Sequence, residues 1–156
     1  MLTIDVPGGP TLNLAHAVLD FNGTLAIDGE LCPGVPELMA QLAQTLTVHV
    51  VTADTFGTAH VKLRDLPCRV VVLPVERQDA RKRDYVAGLG AHSVACVGNG
   101  RNDRLMVRDA ALGIAVIGGE GAAVETLVAA DVVAPDITAA LGLLIHPRRL
   151  VATLRS

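Results

Sequence analysis

Polar side chains stand where the predicted strands of this 156-residue chain end. Asp20, Thr52 and Asn99 each follow an apolar run. Asp103 lies one helical turn beyond Asn99, and Lys82 stands at the start of a predicted helix. Ligands of open α/β sheets bind beyond the carboxyl ends of the strands. These side chains are therefore predicted to converge on one crevice.

Together these groups suit phosphoryl transfer, in which positioning and charge neutralisation do most of the work. A carboxylate can attack phosphorus, a hydroxyl and backbone N–H groups can hold phosphate oxygens, and a lysine can offset the charge. Asp20 and Asp103 can share a Mg²⁺ ion, which prefers octahedral oxygen ligands. The residue types alone thus predict phosphate chemistry centred on Asp20.

The elements that position these residues alternate between short apolar strands and helices. Strands are predicted at 2–6, 11–14, 15–19, 48–51, 69–73, 93–97, 113–117 and 131–133, and helices at 35–44, 58–64, 79–89, 101–110, 122–129, 137–145 and from 147. A Pro-Gly-Gly-Pro turn at 7–10 makes the first two strands a hairpin. The rest predicts βαβ units, a mainly parallel sheet and helices on both faces. The predicted fold class is α/β, Rossmann-like and doubly wound, as a single domain over 1–156.

At these strand ends the sequence resembles the haloacid dehalogenase superfamily. Residues 20–25, Asp-Phe-Asn-Gly-Thr-Leu, resemble its first motif, usually D-x-D-G-T-L, and 52–54, Thr-Ala-Asp, resemble the second. Lys82 stands as the third-motif lysine does. Residues 98–103, Gly-Asn-Gly-Arg-Asn-Asp, resemble the fourth motif, often G-D-G-x-N-D, and 111–116 look like the A-x-x-G-I-A segment that follows it. The resemblance covers roughly 18–133. Within the superfamily it is strongest to soluble relatives of the P-type ATPase phosphorylation domain.

The resemblance implies a role for each matching position. Asp20 would be the nucleophile that forms an aspartyl phosphate, and Lys82 would neutralise it and the phosphate. The implied phosphate-binding residues are Asn22, Gly23, Thr52, Ala53 and Lys82. The implied Mg²⁺ ligands are Asp20, the Asn22 carbonyl, and the side chain of Asn99 or Asp103. The implied catalytic set is Asp20, Asn22, Thr52 and Lys82.

Two positions depart from the superfamily pattern. Asn22 stands where its phosphatases carry a second Asp as general acid and base, a role worth ~10²–10⁴-fold in rate. Asn99 replaces the first Asp of the fourth motif, so one metal-ligand charge is missing. Weak Mg²⁺ affinity and slow turnover are expected from these two changes. P-type ATPases also lack the second Asp of the first motif.

Each residue also has a plainer interpretation. Asp20 before Asn-Gly suits a simple turn, Thr52 suits a helix cap, and Lys82 between two arginines suits a solvated helix face. Gly-x-Gly at 98–100 is weakly similar to a dinucleotide fingerprint, but Asp103 stands where its third glycine belongs. The five histidines lack metal-ligand spacing and are interpreted as structural.

Composition narrows the classes of function. A net charge of −3 and 2% aromatic residues argue against a nucleic-acid partner. Three cysteines are an odd count without metal spacing, which indicates free thiols in a reducing compartment. No signal peptide and no apolar run of membrane-spanning length is found. The sequence therefore predicts a cytoplasmic protein without a membrane partner.

The gaps between motifs leave no room for a cap domain. The site is then open, which favours a macromolecular phosphorylated substrate or partial covering by a neighbouring subunit of a homo-oligomer. The leading hypothesis is a Mg²⁺-dependent phosphatase-type enzyme. A regulatory module that accepts and holds phosphate, and a weakly catalytic binding scaffold, remain as alternatives.

Overall fold

The computed structural model describes residues 1–54 and 57–156, in which strands and helices alternate as predicted. The strands are β1 (Leu2–Asp5), β2 (Thr11–Leu14), β3 (His16–Asp20), β4 (Ala26–Ile27), β5 (Glu30–Leu31), β6 (Thr47–Thr52), β7 (Arg69–Val72), β8 (Val94–Gly98), β9 (Leu112–Val116) and β10 (Val132–Ala134). The helices are α1 (Val35–Leu42), α2 (Thr58–Leu63), α3 (Gln78–Leu89), α4 (Arg104–Asp109), α5 (Val124–Ala129), α6 (Ile137–Ile145) and α7 (Pro147–Leu154). Short 3₁₀ turns cover Ala91–Ser93 and Arg101–Asp103.

Six strands form a parallel sheet in the order β10-β9-β8-β3-β6-β7. The strand β3 lies in the middle, between β8 and β6. Asp20 pairs with Val51, so Thr52 stands one residue beyond the level of Asp20 on the adjacent strand. The carboxyl ends of β3, β6 and β8 thus meet at one edge.

Side chains alternate between two helix-covered faces of the sheet. On β3, Ala17 and Leu19 belong to the larger core with α1, α6 and α7, whereas Val18 packs with α3 and α4. The fold-class prediction, with helices on both faces, is confirmed. Most predicted bounds lie within two residues of the observed ones. The helix predicted at 101–110 instead begins as a 3₁₀ turn.

Two antiparallel hairpins accompany the sheet. The predicted hairpin β1–β2 is confirmed, and it forms a two-stranded sheet of its own. The hairpin β4–β5, directly after the first motif, was not predicted. The chain from β5 leads directly into α1, in keeping with the predicted absence of a cap domain.

Among the residues that the structure describes, no single helix is long and apolar enough to cross a membrane. The pair α6 and α7 meets that criterion by length and composition only, with a bend of 99° between the two helices. The three cysteines are free thiols, as predicted. A surface depression of about 610 Å³ lies by Thr47 and Arg69, at the amino ends of β6 and β7 and so opposite Asp20.

Candidate active site

Three charged side chains meet at the carboxyl edge of the sheet. The Lys82 Nζ lies 2.6 Å from Asp20 Oδ1 and 2.7 Å from Asp103 Oδ1. None of the three residues is more than 5% exposed. The prediction that Lys82 faces Asp20 is confirmed, and the alternative of a solvated helix face is wrong.

The local sequence explains how these groups come together. Asp20 ends the central strand β3, and Lys82 lies in the first half of α3. Val86, one turn further along α3, packs on the sheet. Asp103 closes the turn after β8, where its Oδ2 accepts backbone N–H groups of Asn99 at 3.0 Å and Gly100 at 2.9 Å. Both Asp103 oxygens are therefore committed to donors within the protein.

Gly98 makes room for the Asp103 carboxylate. A Cβ at position 98 would lie 2.5 Å from the Asp103 Cγ, closer than any real contact. The glycine that opens the fourth motif is thus required by the packing of the acid, whereas a dinucleotide site would use such a glycine for a pyrophosphate. The dinucleotide alternative has no support in this geometry, because Asp103 fills the space.

Two buried carboxylates share one ammonium, so the three side chains carry one excess negative charge when all are ionised. Burial, followed by the charge of Asp103, raises the pKa of Asp20 from 3.8 to about 6, although Lys82 opposes the shift. Burial disfavours the charge on Lys82, but Asp20 and Asp103 outweigh it and raise the pKa of this lysine. The lysine stays charged, and the excess charge favours an additional cation.

Thr24 belongs to the site, although sequence reasoning did not single it out. Its buried Oγ1 lies 3.3 Å from Asp20 Oδ2 and 3.1 Å from Asn99 Oδ1. The hydroxyl has one proton to donate, so these two oxygens share it. The signal was present in the sequence, because Thr24 is the hydroxyl residue of the first motif.

The remaining predicted residues lie around this centre. Thr52 is buried at the end of β6, and its Oγ1 accepts the Asp54 N–H at 3.1 Å; Ala53 follows, half-buried. Asn22 is exposed. Gly23 has φ +79° and donates its N–H to Ala26 O at 2.7 Å, so this amide is occupied by the turn.

The donor set suits a cation that keeps much of its water. Among the described residues, no group of three or more His, Cys, Asp or Glu side chains forms a metal cage. Asp20 Oδ2 and Asn99 Oδ1 both lie within 3.3 Å of Thr24 Oγ1, so two oxygen atoms of the kind that bind Mg²⁺ lie close together. Mg²⁺ is bound in proteins through one or two carboxylates with several waters, and the residues present fit that pattern.

Solved structures share this fold. A protein of Streptomyces avermitilis MA-4680 described as a HAD family hydrolase is 20% identical, with a TM-score of 0.70 over 94% of this chain and 91% of that one. The 3-deoxy-D-manno-octulosonate 8-phosphate phosphatase of Moraxella catarrhalis, solved with magnesium, phosphate and KDO, is 15% identical, with a TM-score of 0.66 over 91% and 94%. A zinc-transporting PIB-type ATPase in the E2.Pi state is 25% identical, with a TM-score of 0.63 over 78% of this chain and 20% of that one.

Sequence comparison adds one relative. No family model matches the chain. The uncharacterized protein MJ0073 of Methanocaldococcus jannaschii is 48% identical over 62 residues, which are 40% of this chain and 67% of that protein. The chain therefore belongs to one family with MJ0073, and its fold is that of the haloacid dehalogenase superfamily.

Proposed function

We propose that this chain is a Mg²⁺-dependent phosphatase-type hydrolase that works through an aspartyl phosphate on Asp20. One observation carries the proposal: Lys82 bridges Asp20 and Asp103 at 2.6 and 2.7 Å in a buried site at the carboxyl edge of the sheet. A structural ion pair needs one acid for one base, whereas this site keeps a second acid and an excess negative charge. That arrangement is suited to a carboxylate that must react.

In the proposed first step, an Asp20 oxygen attacks phosphorus, the bond from phosphorus to the leaving oxygen breaks, and the leaving oxygen takes its proton from solvent because position 22 has no acid. Lys82 offsets the negative charge of the carboxylate and of the transferring group. Thr52, one residue beyond Asp20 on the adjacent strand, and the backbone after it at Ala53 would hold phosphate oxygens. Lys82 remains on Asp103 while the charge on Asp20 changes.

The Mg²⁺ ligands proposed are Asp20, the Asn22 carbonyl and Asn99 Oδ1. Asp103 is the weaker candidate because Lys82 and two backbone amides already occupy its oxygens. The bound ion would supply charge stabilisation for the phosphoryl oxygens. Bound phosphate and magnesium in the Moraxella catarrhalis structure support a phosphorylated substrate and a divalent cation for this fold.

Hydrolysis of the phosphoenzyme is proposed to be slow. It requires a water molecule activated in line with the bond between Asp20 and phosphorus, and an amide at position 22 offers no proton chemistry for this task. Restoring the acid should therefore accelerate turnover. We further propose an open site for a macromolecular phosphate ester, or one partly covered by a second subunit, in a cytoplasmic protein without nucleic-acid or membrane partners.

The test is steady-state turnover of one phosphate ester by the wild type, Asn22→Asp and Asp20→Asn at saturating Mg²⁺. We expect Asn22→Asp to gain up to ~10²–10⁴-fold and Asp20→Asn to be inactive. Equal inactivity of all three proteins would refute the proposal. Intact mass must be checked first, because deamidation at an Asn-Gly pair would create the same Asp. In the fold, the Gly23 nitrogen that would attack Asn22 is held by Ala26 O at 2.7 Å, which opposes this reaction.

A second candidate function is a regulatory module that accepts phosphate on Asp20 and retains it. The exposed Asn22, in place of the catalytic acid, favours this alternative. Phosphoenzyme lifetime distinguishes the two functions, since a module would retain label for many minutes after excess substrate is removed. A scaffold without chemistry would acquire no label at Asp20.

A further inference from the structure

The side-chain amide of Asn99 donates one hydrogen bond and accepts another. Its Nδ2 donates to the Gly121 carbonyl at 3.0 Å, and its Oδ1 accepts from Thr24 at 3.1 Å. The orientation is unambiguous, because a backbone carbonyl can only accept. Asn99 is buried, with 8% of its surface exposed.

The segment 117–123, which contains Gly121, runs along the site and is fastened at several points. The Ala123 N–H donates to Asn99 O at 2.8 Å, so Asn99 holds the segment by its backbone as well as its side chain. The Glu120 carboxylate accepts the Asp28 N–H at 2.9 Å, which joins the segment to the hairpin β4–β5. Gly118 also lies close to the first motif, because a Cβ added to it would be 3.4 Å from Gly23 O. The segment therefore forms a wall against the first motif.

We propose that Asn99 is a positioning residue that fixes the wall 117–123 beside the reacting groups, and that this is why an amide stands where the superfamily has a carboxylate. An aspartate would direct an oxygen at the Gly121 carbonyl across 3.0 Å, where nothing could be donated. Asn99 is also closely confined, since a Cβ on Gly23 would lie 2.4 Å from Nδ2. The Asp side chain cannot turn away from Gly121 without losing Thr24.

In this chain, position 99 thus gives up one ligand charge and gains a fixed wall. In a protein without a cap, such a wall would contact the part of the substrate that leaves with the ester oxygen. This functional consequence depends on the proposed phosphatase activity, but the fastening of the wall does not.

The experiment compares Asn99→Asp with the wild type by amide hydrogen exchange in metal-free protein. We expect exchange at Gly121 and Ala123 to accelerate roughly tenfold as one buried hydrogen bond is lost and two acceptors face each other, with β8 unchanged. Glu120→Ala is the matched control. It removes the tie between the wall and the hairpin β4–β5, and it should accelerate exchange at Asp28 but not at Ala123.

The kinetic arm measures KM and kcat for a phosphate ester at saturating Mg²⁺. Asn99→Asp should raise KM several-fold, whereas simple loss of folded protein would lower kcat and leave KM unchanged. Unchanged exchange at Gly121 and Ala123 overturns the fastening role, and faster exchange with unchanged KM overturns the positioning role. Inactivity of the wild type would instead refute the proposed function, and the exchange result would still decide whether Asn99 fastens the wall.

Discussion

Replacing Asp20 by asparagine tests the charge balance of the site in the absence of metal. The site holds two buried carboxylates against one lysine, and the pKa of Asp20 is raised from 3.8 to about 6, first by burial and then by Asp103. That difference corresponds to roughly 3 kcal/mol of destabilisation at neutral pH. An amide at position 20 loses the charge-assisted hydrogen bond from Lys82, and this loss offsets part of the stability gained when the buried charge is removed. We therefore expect Asp20→Asn to stabilise the fold by about 1–3 kcal/mol.

The pH dependence of this destabilisation follows from proton uptake by Asp20. Because the folded-state pKa is the higher one, the native protein binds more protons than the unfolded chain between pH 3.8 and about 6. The penalty is complete above about pH 6 and disappears below pH 3.8, where Asp20 is protonated in both states. The stabilisation by Asp20→Asn should shrink over the same range as the pH is lowered.

The assay is urea unfolding with a chelator at pH 7.5, with Asp103→Asn as the isosteric control. Asp103 is fully buried and accepts from Lys82 and two backbone amides, so an amide there leaves donors unpaired. That variant should lose about 2–4 kcal/mol. Equal destabilisation by both variants would refute the argument that Asp20 carries the excess charge. Added Mg²⁺ should stabilise the wild type more than Asp20→Asn.

Three further outcomes are expected. Gly98→Ala, whose Cβ would lie 2.5 Å from Asp103 Cγ, should cost about 2 kcal/mol or more and abolish turnover. Gly88→Ala, whose Cβ would have no atom of the described residues within 4 Å, should be neutral or stabilising, and equal effects of the two changes in urea unfolding would contradict this. Burial lowers the pKa of His49 from 6.5 to about 4, so the unfolded chain takes up a proton first. The His49 contribution to stability therefore falls by up to about 3 kcal/mol between pH 6.5 and 4, opposite in sign to the contribution of Asp20. His49→Gln should remove that slope from unfolding curves taken across this range, and an unchanged slope would reject the assignment. Raising Mg²⁺ should move the acidic limb of kcat/KM to lower pH, because the ion favours ionised Asp20; a limb that stays fixed would exclude Asp20 as a ligand.

Most of the fold could be predicted because its strands and helices are indicated by short stretches of neighbouring residues. Each strand of the parallel sheet is a short apolar run that ends at a turn, and Pro-Gly-Gly-Pro announced the first hairpin. The hairpin β4–β5 could not be predicted, because strands of two residues show no periodicity. Neighbouring strands such as β3 and β8 are separated by more than 70 residues, so periodicity says nothing of their order.

The site was predictable as a set of residues but not as a set of bonds. Lys82 was identified by its place between motifs, and its contact with Asp20 followed from α3 packing on the sheet. The histidines were expected to be structural, and His49 indeed lies in a chain with His16 at 3.1 Å and Tyr85 at 2.7 Å. These partners are 33 and 36 residues away, so no local pattern could indicate them.

The two asparagines of the motifs have different physical causes. Asn22 is exposed, and none of the residues that the structure describes makes a hydrogen bond to its side chain, so we propose that it affects proton transfer alone. Asn99 is buried and donates to Gly121 O, which a carboxylate cannot do. Asn22→Asp should therefore change rate without changing structure, whereas Asn99→Asp should change the wall of the site as well as its charge. Combining the two changes tests this separation, because independent sites give additive free energies. If the turnover of the double variant departs from the product of the single effects by more than about threefold, the wall also affects how position 22 activates the attacking water.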